Sequence, residues 1–215
     1  RWLRTERRHG EVDDALYNCA ADALGQWAKT SPDTIEPMLQ LLAANEHDAA
    51  QALLYRALIA GAANFAPRAA DLLLHGGNRL EAGHLSDSHW LSREVVEAIA
   101  PIVSDQVHLR LEDEFRDLPA TFQSANLQYR LRSFGYTAFK FLSALDPKRL
   151  TPMGVRRLQE YQRKFGQDLP EPPTGIITYN VSSPIEGPAT GKMSNAQWMR
   201  AMAKHDHDDR DPGSE

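Results

Sequence analysis

The chain has 215 residues, 42% of them hydrophobic and 25% charged, with a net charge of -5. A chain of this length can bury roughly 70% of the surface that its unfolded form exposes, so a core needs neither disulfides nor metal to close it. One cysteine excludes an internal disulfide framework, and no apolar run reaches the ~18 residues of a membrane helix, so a soluble protein of a reducing cytoplasm is expected.

In chain order, Val12 to Ala28 carries Leu16, Cys19, Ala20, Ala23, Leu24 and Trp27 at helical spacing, which predicts a helix with Cys19 as a buried, inert thiol. Ser31 and Pro32 suit the N-cap and first position of a second helix, whose apolar face is Ile35, Met38, Leu39 and Leu42. After a break at Asn45 to Asp48, the small residues Ala49, Ala52, Ala57 and Ala60 predict a helix able to approach its neighbours closely. Another is expected from Asn64 to His75, with Pro67 in its first turn and Gly76-Gly77-Asn78 as its stop.

Arg79 to Asp87 reads as a loop or short helical turn. Ser86 or Asp87 should cap a helix bearing Trp90, Leu91, Val95 and Ile99, and Ser104 the next, with Val107, Leu111 and Phe115 buried. From Ser124 to Leu145 the residues Leu127, Leu131, Phe134, Ala138, Phe141, Leu142 and Leu145 recur at steps of three and four. One long inner helix is expected there, with Phe134 and Phe141 among the most buried residues and Gly135 at a close approach.

Past the corner at Leu145-Asp146-Pro147, Thr151 to Phe165 predicts a helix with Val155, Leu158, Tyr161 and Phe165 inward. Arg156, Arg157, Arg163 and Lys164 would then face solvent or a partner, with Arg156, Glu160 and Lys164 as an i, i+4 ladder. Pro170 to Met193 holds five prolines and three glycines and reads as an extended arm, although Ile176, Ile177, Tyr179 and Val181 suggest that it lies on something. Ser194-Asn195-Ala196-Gln197 has the form of a capping box and opens a short helix with Trp198, Met199 and Met202 as a docking face.

These elements make an all-α chain of antiparallel helical hairpins, stacked as an irregular HEAT-like solenoid or packed as a helical bundle. Prolines 32, 67, 101 and 147 fall at intervals of 35, 34 and 46 residues, which hints at stacked helix pairs. The expected organisation is a repeat-like domain over 1–166, the arm over 167–193, an amphipathic helix over 194–204 and a disordered acidic tail over 205–215. A start at Arg1 rather than Met suggests a piece of a longer protein.

No set of residues carries a reaction. Gly187 to Met193 evokes a phosphate-binding loop, but its glycine spacing is one short and Met193 replaces the metal-binding hydroxyl residue. His75, His84 and His89 do not share a helical face, and His205 to Asp208 belongs to a polar tail, so no metal site is expected. His108 and Glu112 share a face and could form an acid/base pair, against the simpler reading of a surface hydrogen bond. The basic helix could contact nucleic acid through Arg156 and Arg157, but no cluster of stacking aromatics accompanies its arginines.

A resemblance points elsewhere. Tyr129 to Gly135, Leu145 to Pro152, Gln162 to Gly166, Ser183-Pro184-Ile185 and Met193 to Met199 together resemble the C-terminal end of very large bacterial ATP-binding proteins of the NACHT or STAND type. The resemblance runs in short pieces over roughly residues 125 to 203 and includes no diagnostic catalytic motif. It implies a non-catalytic helical sensor or scaffold region without a cofactor, which binds a protein trigger or other domains of the same longer chain, in bacterial defence signalling. Any ATPase site would then lie upstream.

Overall fold

The structure, a computed structural model, describes residues 12–75, 77–83, 89–116, 118, 127–166 and 193–205. The chain divides into two compact units, Arg1–Ile176 and Ile177–Glu215. Among the described residues the protein is all-α, without strands. The first unit holds α1 (Val12–Thr30), α2 (Pro32–Ala44), α3 (Asp48–Ala60), α4 (Ala62–His75), a 3-10 turn (Gly77–Glu81), α5 (Trp90–Ile99), α6 (Asp105–Arg116), α7 (Leu127–Ser133), α8 (Tyr136–Leu142) and α9 (Pro152–Phe165). The second holds α10 (Asn195–His205).

Small residues set the centre of the first unit. α3 packs against α1, α2, α4 and α5, and its alanines 52 and 57 are buried with Leu54, Tyr55 and Leu58. The approach to α1 is close: a Cβ on Gly25 would lie 3.1 Å from that of Ala60, and one on Gly61 would lie 2.9 Å from that of Ala28. This contact selects the buried face of α1. Gly25 and Ala28 are buried and Tyr17, Ala21 and Leu24 half-buried, whereas Leu16, Cys19, Ala20, Ala23 and Trp27 are exposed. The expected stripe and the buried thiol are therefore corrected: the face with the smallest side chains faces α3, and Trp27 lies at the edge with its indole N–H donating to Thr34 Oγ1 at 2.7 Å.

Helix starts differ from expectation in instructive ways. Ser31 precedes Pro32 at the N-cap but makes no side-chain capping bond, and His47 caps α3 by accepting from the Ala49 amide at 3.2 Å. Since α4 starts at Ala62, Pro67 lies beyond the first turn, where it removes the N–H that the Ala63 carbonyl would receive. The N-cap of α5 is His89, with no side-chain capping bond; Ser86 and Asp87 lie outside the described residues. Instead His89 Nδ1 meets the Leu80 carbonyl at 2.7 Å, joining the 3-10 turn to α5. Ser104 caps α6 as expected, its hydroxyl accepting from the Val107 amide at 3.4 Å.

The largest correction concerns residues 127–145. Instead of one helix, α7 ends at Ser133 and α8 begins at Tyr136, with Gly135 between them at φ +84°. That left-handed conformation suits glycine and costs other L-residues about 1–2 kcal/mol. A Cβ at this position would also collide with the Tyr161 ring, so the expected close approach exists, but at a helix break. The break rotates the two halves apart: Phe141 is fully buried, whereas Phe134 is 62% and Leu131 63% exposed. Gly135→Ala is expected to lower stability by about 2–4 kcal/mol, strain and overpacking together, as read by urea titration; a change under about 0.5 kcal/mol would contradict this account.

In the second unit, the Ser194 amide donates to Gln197 Oε1 at 2.7 Å and the Gln197 amide to Ser194 Oγ at 3.4 Å. Both halves of the expected capping box are present, so α10 starts where its sequence says.

Candidate interaction surface

The basic helix α9 is started by two groups. Thr151 Oγ1 accepts from the Gly154 amide at 3.1 Å, and Pro152 supplies the first helical position. Beneath that turn lies Glu112 of α6, fully buried, whose carboxylate accepts from the Thr151 amide at 2.8 Å and from the Thr151 hydroxyl. A carboxylate at a helix N-terminus meets both unpaired amides and the positive end of the dipole. Gly154 makes room for it, because a Cβ there would strike the carboxylate. Glu112 is thus a staple between α6 and α9, not the surface hydrogen bond expected with His108.

His108 is also buried, at 1% exposure, and its Nε2 has no hydrogen-bond partner. Burial first, then the charge of Arg149, push its pKa below the ordinary 6.5, against smaller opposing pulls from Glu112, Asp146 and Asp105. Arg149 is itself fixed in the junction: its guanidinium donates to the Ala100 and Val103 carbonyls, both at 2.7 Å, and to Asp105 at 2.8 Å. It thereby ties the end of α5 to the start of α6. His108 and Glu112, considered as an acid/base pair, share no hydrogen bond, and the Glu112 carboxylate is taken up by Thr151.

A pH dependence follows. As pH falls below about 6.5, the unfolded chain takes up a proton that native His108 resists, so the protein loses stability until the lowered folded-state pKa is reached. In His108→Leu that component of the decline should vanish. Urea midpoints measured across this range in both proteins check it, and parallel curves would remove His108 as the cause.

The cations of α9 are placed less uniformly than expected. Arg156 and Arg157 both pair with Glu160, at 3.3 and 3.1 Å. Arg157 also lies 5.8 Å from the centre of the Tyr161 ring. Lys164 does not complete the ladder; its Nζ donates to the carbonyls of Leu131 and Phe134, both at 2.7 Å, and closes the C-terminal end of α7. Arg163 is exposed. Of the four expected inward residues, Tyr161 is buried and Leu158 and Phe165 half-buried, while Val155 is exposed because the turn it occupies rests on Glu112 through Gly154.

Lys164 thus locks α7 onto α9 and places Phe134 at the surface. Its Nζ is 5.7 Å from the Phe134 ring centre and 5.0 Å from that of Phe165. Phe165 stacks on Phe139 at 5.7 Å and meets Tyr136 edge-on at 5.2 Å. The result is an elbow with an aromatic layer underneath and Leu131, Phe134 and part of Tyr136 open to solvent. The sequence pattern concealed this surface, since Leu131 and Phe134 also fit the stripe of one uninterrupted helix.

The other candidates do not converge. His75 Nδ1 meets the Asp71 carbonyl at 3.0 Å, while His84, residues 187–192 and residues 206–215 lie outside the described residues. Among the described residues no three His, Cys, Asp or Glu side chains form a group able to hold a metal ion, and no helix is long and apolar enough to cross a membrane. On α10, Trp198 is 38% and Met199 68% exposed, and the Met202 side chain lies outside the described residues. No protein family, no curated protein and no solved structure was found to match the chain.

Proposed function

We propose that this chain is a non-catalytic, helical-repeat sensor or scaffold region of a larger bacterial NTPase, cytoplasmic and used in defence signalling, which binds a protein trigger or a neighbouring domain. The observation that carries a protein-binding role is the α7–α8 elbow, where Leu131 and Phe134 are each more than 60% exposed beside a helix end held by Lys164. Large apolar side chains at a fixed surface position suit protein contact. The contacts of α3 with both α1 and α5, and of α5 with α8, fit hairpins stacked in a row, as a HEAT-like region would have.

Nucleic-acid binding through α9 has less to recommend it, because Glu160 pairs with Arg156 and Arg157 and Lys164 is occupied by carbonyls. The upstream reading frame tests the proposal: a phosphate-binding loop followed by an acidic Walker B strand is expected, and a frame without a nucleotide-binding module overturns it. Anisotropy of a labelled DNA duplex at low and moderate salt tests the alternative. Its binding, with a steep decline as salt rises, would replace the protein-binding role by contact with phosphates.

A further inference from the structure

We propose that the α7–α8 elbow is a docking surface for an acidic segment of a partner protein that inserts a bulky apolar side chain beside Leu131 and Phe134. The inference rests on the protein-binding role above and names the chemistry of the partner.

Three observations lead to it. First, the apolar pair is held outward by construction: Gly135 in the left-handed region turns the chain, and Tyr161 fills the space against it. An uninterrupted helix would have put Phe134 on the same face as the buried Phe141. Second, the helix end that carries the pair is tied to α9. Lys164 Nζ bonds the carbonyls of both Leu131 and Phe134, so a ligand meets a surface already ordered, which lowers the entropic cost of binding.

Third, the exposed charged side chains next to the pair are basic. Residues 127–145 contain no Asp or Glu, and of their basic residues Lys140 is buried. Arg132, next to Leu131, is exposed, and Arg163 is exposed beside Lys164 in the last turn of α9. An acidic segment would meet attractive charge at the rim and an apolar contact at the centre, the division found in protein interfaces. A basic segment would be repelled.

The test selects binders to the intact chain from a displayed library of random short peptides, resynthesises them, and titrates them against the wild type, Phe134→Ser and a double charge reversal, Arg132→Glu with Arg163→Glu. Expected binders carry Asp or Glu around a Leu, Ile, Phe or Trp. Affinity should fall at least about tenfold in each variant and when the peptide acids are made amides, with thermal melting unchanged because the substituted side chains are exposed. The charge reversal keeps the apolar pair, so it reads the rim even if Phe134→Ser fails to fold.

Binders lacking acids but lost in Phe134→Ser would overturn the acidic chemistry while leaving the protein-binding role intact. No binder, or binders indifferent to both variants, would overturn the surface itself. Self-association of the wild type abolished by Phe134→Ser would assign the elbow to a second copy and overturn the proposal. Displacement of the selected peptides by duplex DNA would also overturn it, in favour of a polyanion site.

Discussion

Phe141→Ala should cost about 3–5 kcal/mol of folding stability, while Phe134→Ala, seven residues earlier in the same apolar pattern, should change it by about 0.5 kcal/mol or less. Phe141 is fully buried, its ring stacked on Phe115 at 4.9 Å and meeting the edge of His89 at 5.8 Å. Truncation there removes an aromatic side chain from the place where α5, α6 and α8 meet and leaves a cavity that these packed elements can only partly close. Phe134 loses a ring that already faces water, although Lys164 keeps its hold on the backbone carbonyl. Urea titration of the two variants decides the point; equal losses would mean that α7 and α8 act as one buried helix.

The second large effect is expected at Glu112. Glu112→Ala removes the acceptor of both the Thr151 amide and the Thr151 hydroxyl, and with it the anion at the start of α9, at about 2–4 kcal/mol. Glu112→Gln keeps an acceptor without the charge and should lose less. Gly154→Ala should also destabilise, by about 1–3 kcal/mol, because the added methyl has no place beside the carboxylate. The double variant provides the stringent check. With the carboxylate gone the methyl has room, so the combined loss should be clearly smaller than the sum of the single losses, whereas simple additivity would mean that residues 112 and 154 do not share that space.

What could be read from the residues alone was local. Apolar period, proline and glycine placement and the capping signals at Ser104 and Ser194 located most helices, and the absence of strand patterns led to an all-α chain, because these features depend on neighbours within one or two turns. The NTPase resemblance belongs to the sequence reading as well, and the proposed role still depends on it. Local pattern misled where two faces of one helix both looked apolar. α1 offered a stripe through Leu16 and Trp27, yet the contact with α3 is so close that only the Gly25 and Ala28 side fits.

Tertiary structure alone decided the elbow and the α6–α9 junction. Nothing in the spacing of Leu131, Phe134 and Phe141 says that Gly135 leaves the helix; that follows from Tyr161 and Lys164, which lie near it only in the folded chain. Likewise His108 and Glu112 read as surface partners one turn apart, but both are buried, and the start of α9, some forty residues further on, gives the carboxylate its donors. Helix period identifies which side chains share a face, but what comes to lie against that face is set by long-range packing, where close fit and the pairing of buried polar groups outweigh local preference.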